Sequence, residues 1–374
     1  MEERDVKVGT ILMYQNVDDH RRAKHGEPDA HSGSSRFFRE EIELGEYSVS
    51  VGFDSIWSVE HHFSSHGESA SPLQQLTYFA GRVPAANLGT CVVVLPWNDP
   101  VRVAEQIAIL DNLIAPDKQL TIGFGRGSAQ SEYDGFEMAL GESTERFKEN
   151  WEIVKLLLSG ENVSYHGKWR SFSDITTLPR PRSRPEDLFA RCYYSWGSRN
   201  SLEYAAEAGF MPIFVPKGSA EEYAIDMSRF NTIRAGHGLG PVRPVVSLCV
   251  YLDQDERRAA ENGRTYLRRF YATTLDHYDR LDAAHFKAAG NYAEQAEKAE
   301  KLAKRDLNEA LDEMVNLQLF GTPERVLDQL RHWRDVTNPD QFLFTMRFGG
   351  MSLAEGKRNT ELVARTILPE MARW

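Results

Sequence analysis

A (β/α)8 barrel of the TIM type with two insertions is the fold class this sequence predicts, and three observations predict it. Short apolar segments alternate with longer amphipathic ones from end to end, the pattern of a parallel sheet covered by helices. The segments arrange into eight strand-then-helix units in order. The length, 374 residues, suits one such barrel, which runs from about 200 to over 400 residues. Counting alone also admits an open doubly wound sheet with an extra domain.

The strand candidates are 7–14 (KVGTILMY), 55–60 (SIWSVE), 88–95 (LGTCVVVL), 119–125 (QLTIGFG), 188–195 (LFARCYYS), 211–215 (MPIFV), 244–251 (PVVSLCVY) and 341–348 (QFLFTMRF). Each is short and rich in β-branched or aromatic residues. Helices are expected at 37–50, 72–82, 100–114, 144–158, 200–208, 219–235, 255–276, 323–334 and 358–372. In 100–114, Val103, Ile107, Leu110 and Ile114 recur at helical spacing, so one stripe faces the sheet while Arg102, Glu105 and Asp111 face outward. Asp99-Pro100 and Thr322-Pro323 each place a cap before a first-turn proline, and Ser143 with Glu145 supplies a third start signal.

Two stretches break the rhythm. Residues 160–187 carry Pro179, Pro181 and Pro185 and a turn at His166-Gly167, and read as an insertion with one hairpin. Residues 276–322 include the charged helix EQAEKAEKLAKRDLNEALDEM, whose mixed signs predict a solvent-facing insertion. No linker separates two folding units, so a single domain over 1–374 is expected.

Composition narrows the function. With 44 Lys+Arg against 55 Asp+Glu the formal net charge is −11, and the one basic cluster, 180–184 (RPRSR), reads as a solvated loop. Nucleic-acid binding is therefore not expected. The longest apolar runs fall far below the roughly 18 residues that span a bilayer, so no membrane association is expected. The acidic N-terminus, MEERDVKVGT, lacks the basic and apolar regions of an export signal. Cys91, Cys192 and Cys249 stand singly and read as reduced thiols, which places the protein in the cytoplasm.

Ligands of a parallel barrel bind at the carboxyl ends of its strands. Glu60-His61-His62-Phe63 follows the second strand, Gly123-Phe124-Gly125-Arg126-Gly127 closes the fourth, and Ser195 to Ser201 joins the fifth to its helix. Adjacent strand residues point to opposite faces, so His61 and His62 do not share a metal unless the strand has ended before them. No third ligand stands at HExxH spacing, and no metal is expected. The pair reads as a proton donor or acceptor with a structural partner, or as hydrogen-bonded rim histidines without chemistry.

GFGRG lacks the third glycine of a dinucleotide fingerprint. Its small residues would let a planar ring or a phosphate approach the backbone, with Arg126 as a fixed cation; a tight turn with a surface arginine is the plainer reading. Ser198 and Ser201 lie where a helix begins, as anion contacts or simply as caps. Trp57, Phe63, Trp97, Tyr133 and Trp196 suggest a partly apolar pocket.

Together these pieces are similar to a known family. VEHHF (59–63), LGTCVVVLPWNDPVRVAEQIAILDNL (88–113), GFGRG (123–127), the helix around Arg146 and Phe147, NSLEYAAEAG (200–209) and FGTPERVLDQL (320–330) resemble the bacterial luciferase-like, flavin-dependent monooxygenases, in the same order over nearly the whole chain. The resemblance implies a barrel that oxygenates a small organic molecule with reduced FMN and O2 through a C4a-peroxyflavin. It also implies a separate flavin reductase as partner and a homodimer formed through the early helices. By matching motifs, His61 is the implied active-site histidine with His62 second, and Arg126, Ser198 and Ser201 are the implied phosphate ligands. Gly125 and Tyr133 are implied in the cofactor site, with a non-proline cis peptide behind the flavin ring at Cys91-Val92. Gly125 stands where luciferase has a reactive cysteine and Gly197 where it has a phosphate-site glutamate. Ala115-Pro116-Asp117-Lys118 replaces the usual SGGR. A deazaflavin-dependent reductase or dehydrogenase of the same fold, and a non-catalytic subunit, are the alternatives.

Overall fold

The computed structural model describes residues 6–215, 218–290 and 292–374. Residues 1–5, the acidic start of the segment read above against export, lie outside the described residues. The strands are β1 (Lys7–Leu12), β2 (Ser55–Ser58), β3 (Asn87–Val94), β4 (Leu120–Gly125), β5 (Val163–His166), β6 (Ser171–Ile175), β7 (Cys192–Ser195), β8 (Met211–Phe214), β9 (Val245–Leu252), β10 (Leu319–Gly321) and β11 (Gln341–Thr345). Eight of them pair in parallel in the order β9-β11-β1-β2-β3-β4-β7-β8, and β8 returns to β9 to close the barrel. These are the eight predicted strands, and the closed ring decides against the open sheet. Most stop short of the predicted ends, because the last apolar residues of each run leave the sheet to build the rim.

The sheet is irregular along β9. The first residues of β9 pair with β8 at Ile213↔Val245, whereas its last three pair with β10 at Leu319↔Val250 through Gly321↔Leu252. A three-residue strand was below the resolution of sequence patterning, yet it continues the edge that β8 leaves open. Inside the barrel Ile11, Trp57, Val59, Cys91, Ile213, Val245 and Leu343 pack together. Residues of opposite parity, such as Ile56, Leu88, Ile122 and Phe124, face the helices. Trp57 reaches into the space that glycine at position 89 leaves free.

Helix Pro100–Leu113 starts as predicted: the Asp99 side chain accepts from the N–H groups of Val101 and Arg102. Asp111 departs from expectation. It is buried and accepts from the N–H and the hydroxyl of Ser183 at 2.6 and 2.8 Å, tying the 160–187 insertion to the barrel. That insertion forms the predicted hairpin, β5 with β6. Its basic cluster is not a solvated loop. Arg180 donates to the carbonyls of Leu157 and Leu158, and Arg182 to that of Ile114, so two guanidiniums satisfy the free carbonyls at two helix ends.

Ser143 makes no N-cap; its hydroxyl faces that of Tyr292 at 3.1 Å. The charged helix expected in the second insertion is two helices, Ala293–Ala303 and Leu307–Asn316, because Asp306 caps the second by accepting from the N–H groups of Asn308 and Glu309. Gln295, Ala296 and Ala299 are buried, so the first of these helices packs on the body rather than standing in solvent. Among the described residues no helix is long and apolar enough to cross a membrane.

Candidate active site

Beyond the end of β2 at Ser58 the two histidines diverge. His62 Nε2 lies 3.1 Å from Glu60 Oε1, and its ring meets the edges of Trp97 and Phe136. The buried Glu60 carboxylate also accepts from Val94 N–H at 2.9 Å, Trp97 Nε1–H at 2.6 Å and the Asn98 amide at 2.9 Å. His62 and Trp97 are thereby locked to the exit of β3. Trp97 does not present its indole N–H to a pocket.

His61 turns to a second carboxylate. Its Nδ1 lies 3.5 Å from Glu132 Oε1, and the same oxygen accepts from the His62 N–H at 2.8 Å and lies 3.3 Å from His277 Nε2. His66 completes the cluster, with ring centroids 5.1 Å from His61 and 4.9 Å from His277, and its Nδ1 2.9 Å from Thr273 Oγ1. Tyr278 packs edge-on against His61 and His277. Nδ1 of His61 and both ring nitrogens of His277 are buried with no hydrogen-bond partner among the described residues.

Burial works on these groups in opposite directions. It favours an uncharged Glu132, but the adjacent His277 and His61 rings outweigh it and hold the carboxyl at about 2. Burial pushes His277 down, only partly offset by Glu132, and pushes His66 far down with help from the neighbouring imidazoles. At neutral pH the cluster holds an ionised Glu132 beside neutral His66 and His277 rings. His61, Glu132 and His277 each bring one ligand atom within 4.8 Å of the others, a donor set that divalent cations accept. The expectation of no metal rested on the missing third ligand; the fold supplies candidates from distant segments.

At the exit of β4, the Arg126 guanidinium donates to Thr144 Oγ1 and lies 5.3 Å from the centre of the Tyr292 ring. It has no carboxylate partner among the described residues. Tyr133 is fully buried and donates its hydroxyl to the Arg126 carbonyl, so it holds the turn rather than lining a pocket. The glycines also serve differently from expectation. A Cβ at Gly125 would come 2.6 Å from Val92 Cγ2, and one at Gly127, where φ is +66°, would come 2.6 Å from the Trp97 ring. They make room for side chains of β3 and its exit. The Cys91–Val92 peptide is cis, at the position to which the resemblance points. Of the other aromatics, Trp57 fills the barrel, Trp196 stacks on Phe230, and Phe63 is exposed.

Ser198 and Ser201 cap one another. The Ser198 N–H donates to Ser201 Oγ, the Ser201 N–H to Ser198 Oγ, and the two hydroxyls lie 2.9 Å apart. This is a reciprocal capping box of helix Arg199–Glu207, so the hydroxyls converge on each other rather than on an open anion site. The Arg199 N–H donates to Glu294 at 3.1 Å, placing a carboxylate where helix starts favour anions. Gln295 donates to the Gly197 carbonyl and Tyr292 to that of Gly127, so the second insertion covers the exits of β4 and β7.

Sequence reading missed Glu132, His66 and His277. Glu132 sits in a six-residue helix and His277 at the end of a 22-residue one, and no spacing links them to His61; only the barrel closure does.

The luciferase-like monooxygenase family profile matches residues 21–337. The chain is 25% identical over 307 residues to the alkanal monooxygenase alpha chain of Photorhabdus luminescens, covering 79% of this chain and 81% of that one. Among solved structures it superposes on the monooxygenase RslO1 from Streptomyces bottropensis with a TM-score of 0.73 at 25% identity, over 98% and 99% of the two chains. The FMN-bound oxygenating constituent of the 3,6-diketocamphane monooxygenase of Pseudomonas putida gives 0.73 at 17% identity with the same coverage. The coenzyme F420 dependent tetrahydromethanopterin reductase of Methanopyrus kandleri gives 0.66 at 18%, over 98% and 100%. The last two likenesses speak to the fold alone. The profile match over most of the length, with the ordered strand-end motifs, makes this chain a member of the luciferase-like monooxygenase family.

Proposed function

We propose that this chain is the oxygenating component of a two-component monooxygenase that uses reduced FMN and O2 on a small organic substrate, with reduced flavin delivered by a separate reductase. One observation carries the reading: the two contacts that a flavin mononucleotide needs stand at the same barrel rim. Arg126, without a carboxylate partner among the described residues, follows β4, and His61, its Nδ1 turned to Glu132, follows β2. When bound, reduced FMN supplies the two electrons that activate O2. Arg126 would hold its phosphate, supported by the first turn of helix Arg199–Glu207, whose Glu294 contact must then yield.

The ionised Glu132 faces Nδ1 of His61 and favours the proton there, leaving Nε2 to accept or return a proton on the pocket side. The insertion over β4 and β7 excludes water from the site. In this reading the whole chain, 1–374, is one cytoplasmic folding unit that works as a homodimer.

The test uses the purified protein with a flavin reductase, NADH and FMN. Binding of FMN, together with O2 uptake coupled to oxygenation of an alkanal or a diketocamphane, is the expected result. The His61→Ala protein should still bind FMN within about twofold yet oxygenate about 100-fold more slowly. Unchanged oxygenation by that variant would remove His61 from the chemistry. Tight binding of a deazaflavin without O2 use would favour hydride transfer instead, as in the F420-dependent enzyme that shares this barrel.

A further inference from the structure

The arginines of this chain divide by how their charge is met. Among the described residues, each arginine that is not largely exposed has a carboxylate or a backbone carbonyl as acceptor, with two exceptions. Arg347 meets Glu40 and Glu41, Arg234 meets the carbonyls of Gly240 and Phe210, and Arg191 that of Leu120. The exceptions are Arg126 and Arg280. Arg126 follows a barrel strand and is accounted for above. Arg280 lies on the insertion, just beyond the helix that carries His277.

Among the described residues Arg280 has a single hydroxyl contact, Nη2 to Ser128 Oγ at 3.4 Å. The rest of its guanidinium faces aromatic rings, 4.9 Å from the centre of Tyr278 and 5.8 Å from that of Phe286. Tyr278 in turn packs on His61 and His277, and Ser128 follows the Arg126 turn. The cation therefore stands between the histidine cluster and the Arg126 turn, at the mouth of the candidate site. Arginine does not shed its proton, so a half-buried guanidinium with one long hydroxyl contact keeps its charge, and the ring faces offset only part of its lost hydration while leaving its N–H donors without acceptors. An oxyanion supplies what is missing, because it accepts two parallel N–H bonds from the planar fork.

We infer that Arg280 is an anion anchor at the barrel mouth, binding an oxyanion group of a ligand held there. Two sources offer that chemistry, the phosphate of the flavin nucleotide and a carboxylate on the substrate. The inference rests on the flavin reading above for the first source and is independent of it for the second.

The experiment compares FMN, riboflavin and benzoate binding to the wild-type protein and to Arg280→Met and Arg280→Lys. Methionine keeps an apolar stem against the rings, and the unfolding midpoint of each variant verifies its fold. The expected result is a loss of about tenfold or more for FMN or for benzoate in Arg280→Met, with riboflavin held within about twofold and partial recovery in Arg280→Lys. Loss for FMN assigns the cofactor phosphate; loss for benzoate alone assigns a carboxylate substrate. Equal loss of FMN and riboflavin, or no loss for any probe, overturns the anchor. A wild-type protein that binds neither flavin but loses benzoate in Arg280→Met overturns the flavin reading and leaves the anchor standing.

Discussion

Glu60 and Glu132 are buried carboxylates at the same end of one barrel, and the fold uses them in opposite ways. Glu60 is saturated: a backbone N–H, an indole N–H, an amide and an imidazole all meet it within 3.1 Å. Glu132 takes one short bond from the His62 N–H, and its other neighbours are imidazoles at 3.3 and 3.5 Å with unpaired ring nitrogens. A saturated carboxylate is a clamp, since any movement would strand several buried donors. An unsaturated one, beside imidazoles with unpaired ring nitrogens, can pass a proton or accept a ligand. His61 and His62, adjacent in the loop that follows β2, reach these two environments, one ring at each carboxylate.

That contrast can be broken by mutation. The largest effect is expected at Glu60: Glu60→Ala strands the buried N–H groups of Val94 and Trp97 and releases the half-buried Asn98 and His62, and should cost about 4 kcal/mol in urea unfolding. A loss under about 1 kcal/mol would remove the clamp from the comparison. Next comes pH. Unfolded His66 and His277 take up protons near 6.5, whereas burial keeps both rings neutral in the fold, so the unfolded chain binds more protons below that pH. The two rings should therefore contribute a fall of about 2 kcal/mol between pH 7 and 5.5, opposed over the same range by Glu41, whose buried carboxyl is raised to about 7. His66→Asn should flatten that fall, and an equal slope in the variant would place its source elsewhere. A smaller effect on stability than at Glu60 is expected at Glu132. Glu132→Gln forfeits the stabilised anion, whose carboxyl is held at about 2, and should cost about 2 kcal/mol in unfolding, yet lower oxygenation about tenfold and shift its pH profile. A stability loss matching that of Glu60→Ala would make both carboxylates clamps.

The legibility of the molecule follows the same division. The eight barrel strands were readable because burial on both faces makes each a run of β-branched and aromatic residues. The clamp at Glu60 and the turn at Arg126 were readable as strand-end motifs, though not in their detail. The serines that suggested an anion site cap each other, and Gly125 makes room for Val92. Asp111 lies at a position that a helical wheel turns outward, but Ser183 of the insertion reaches it and buries it. The charged insertion helix breaks at Asp306, whose capping preference outweighed the continuous charge pattern.

By itself the sequence determined the barrel, its order of strands and the family, because these depend on local periodicity and on contiguous motifs. Only the tertiary structure decided which groups face one another. Glu132 and His277 reach His61, and Arg280 reaches the barrel mouth, from segments separated by tens to hundreds of residues. Closure of the sheet and packing of the insertion across its rim bring them together, and no local pattern encodes that distance.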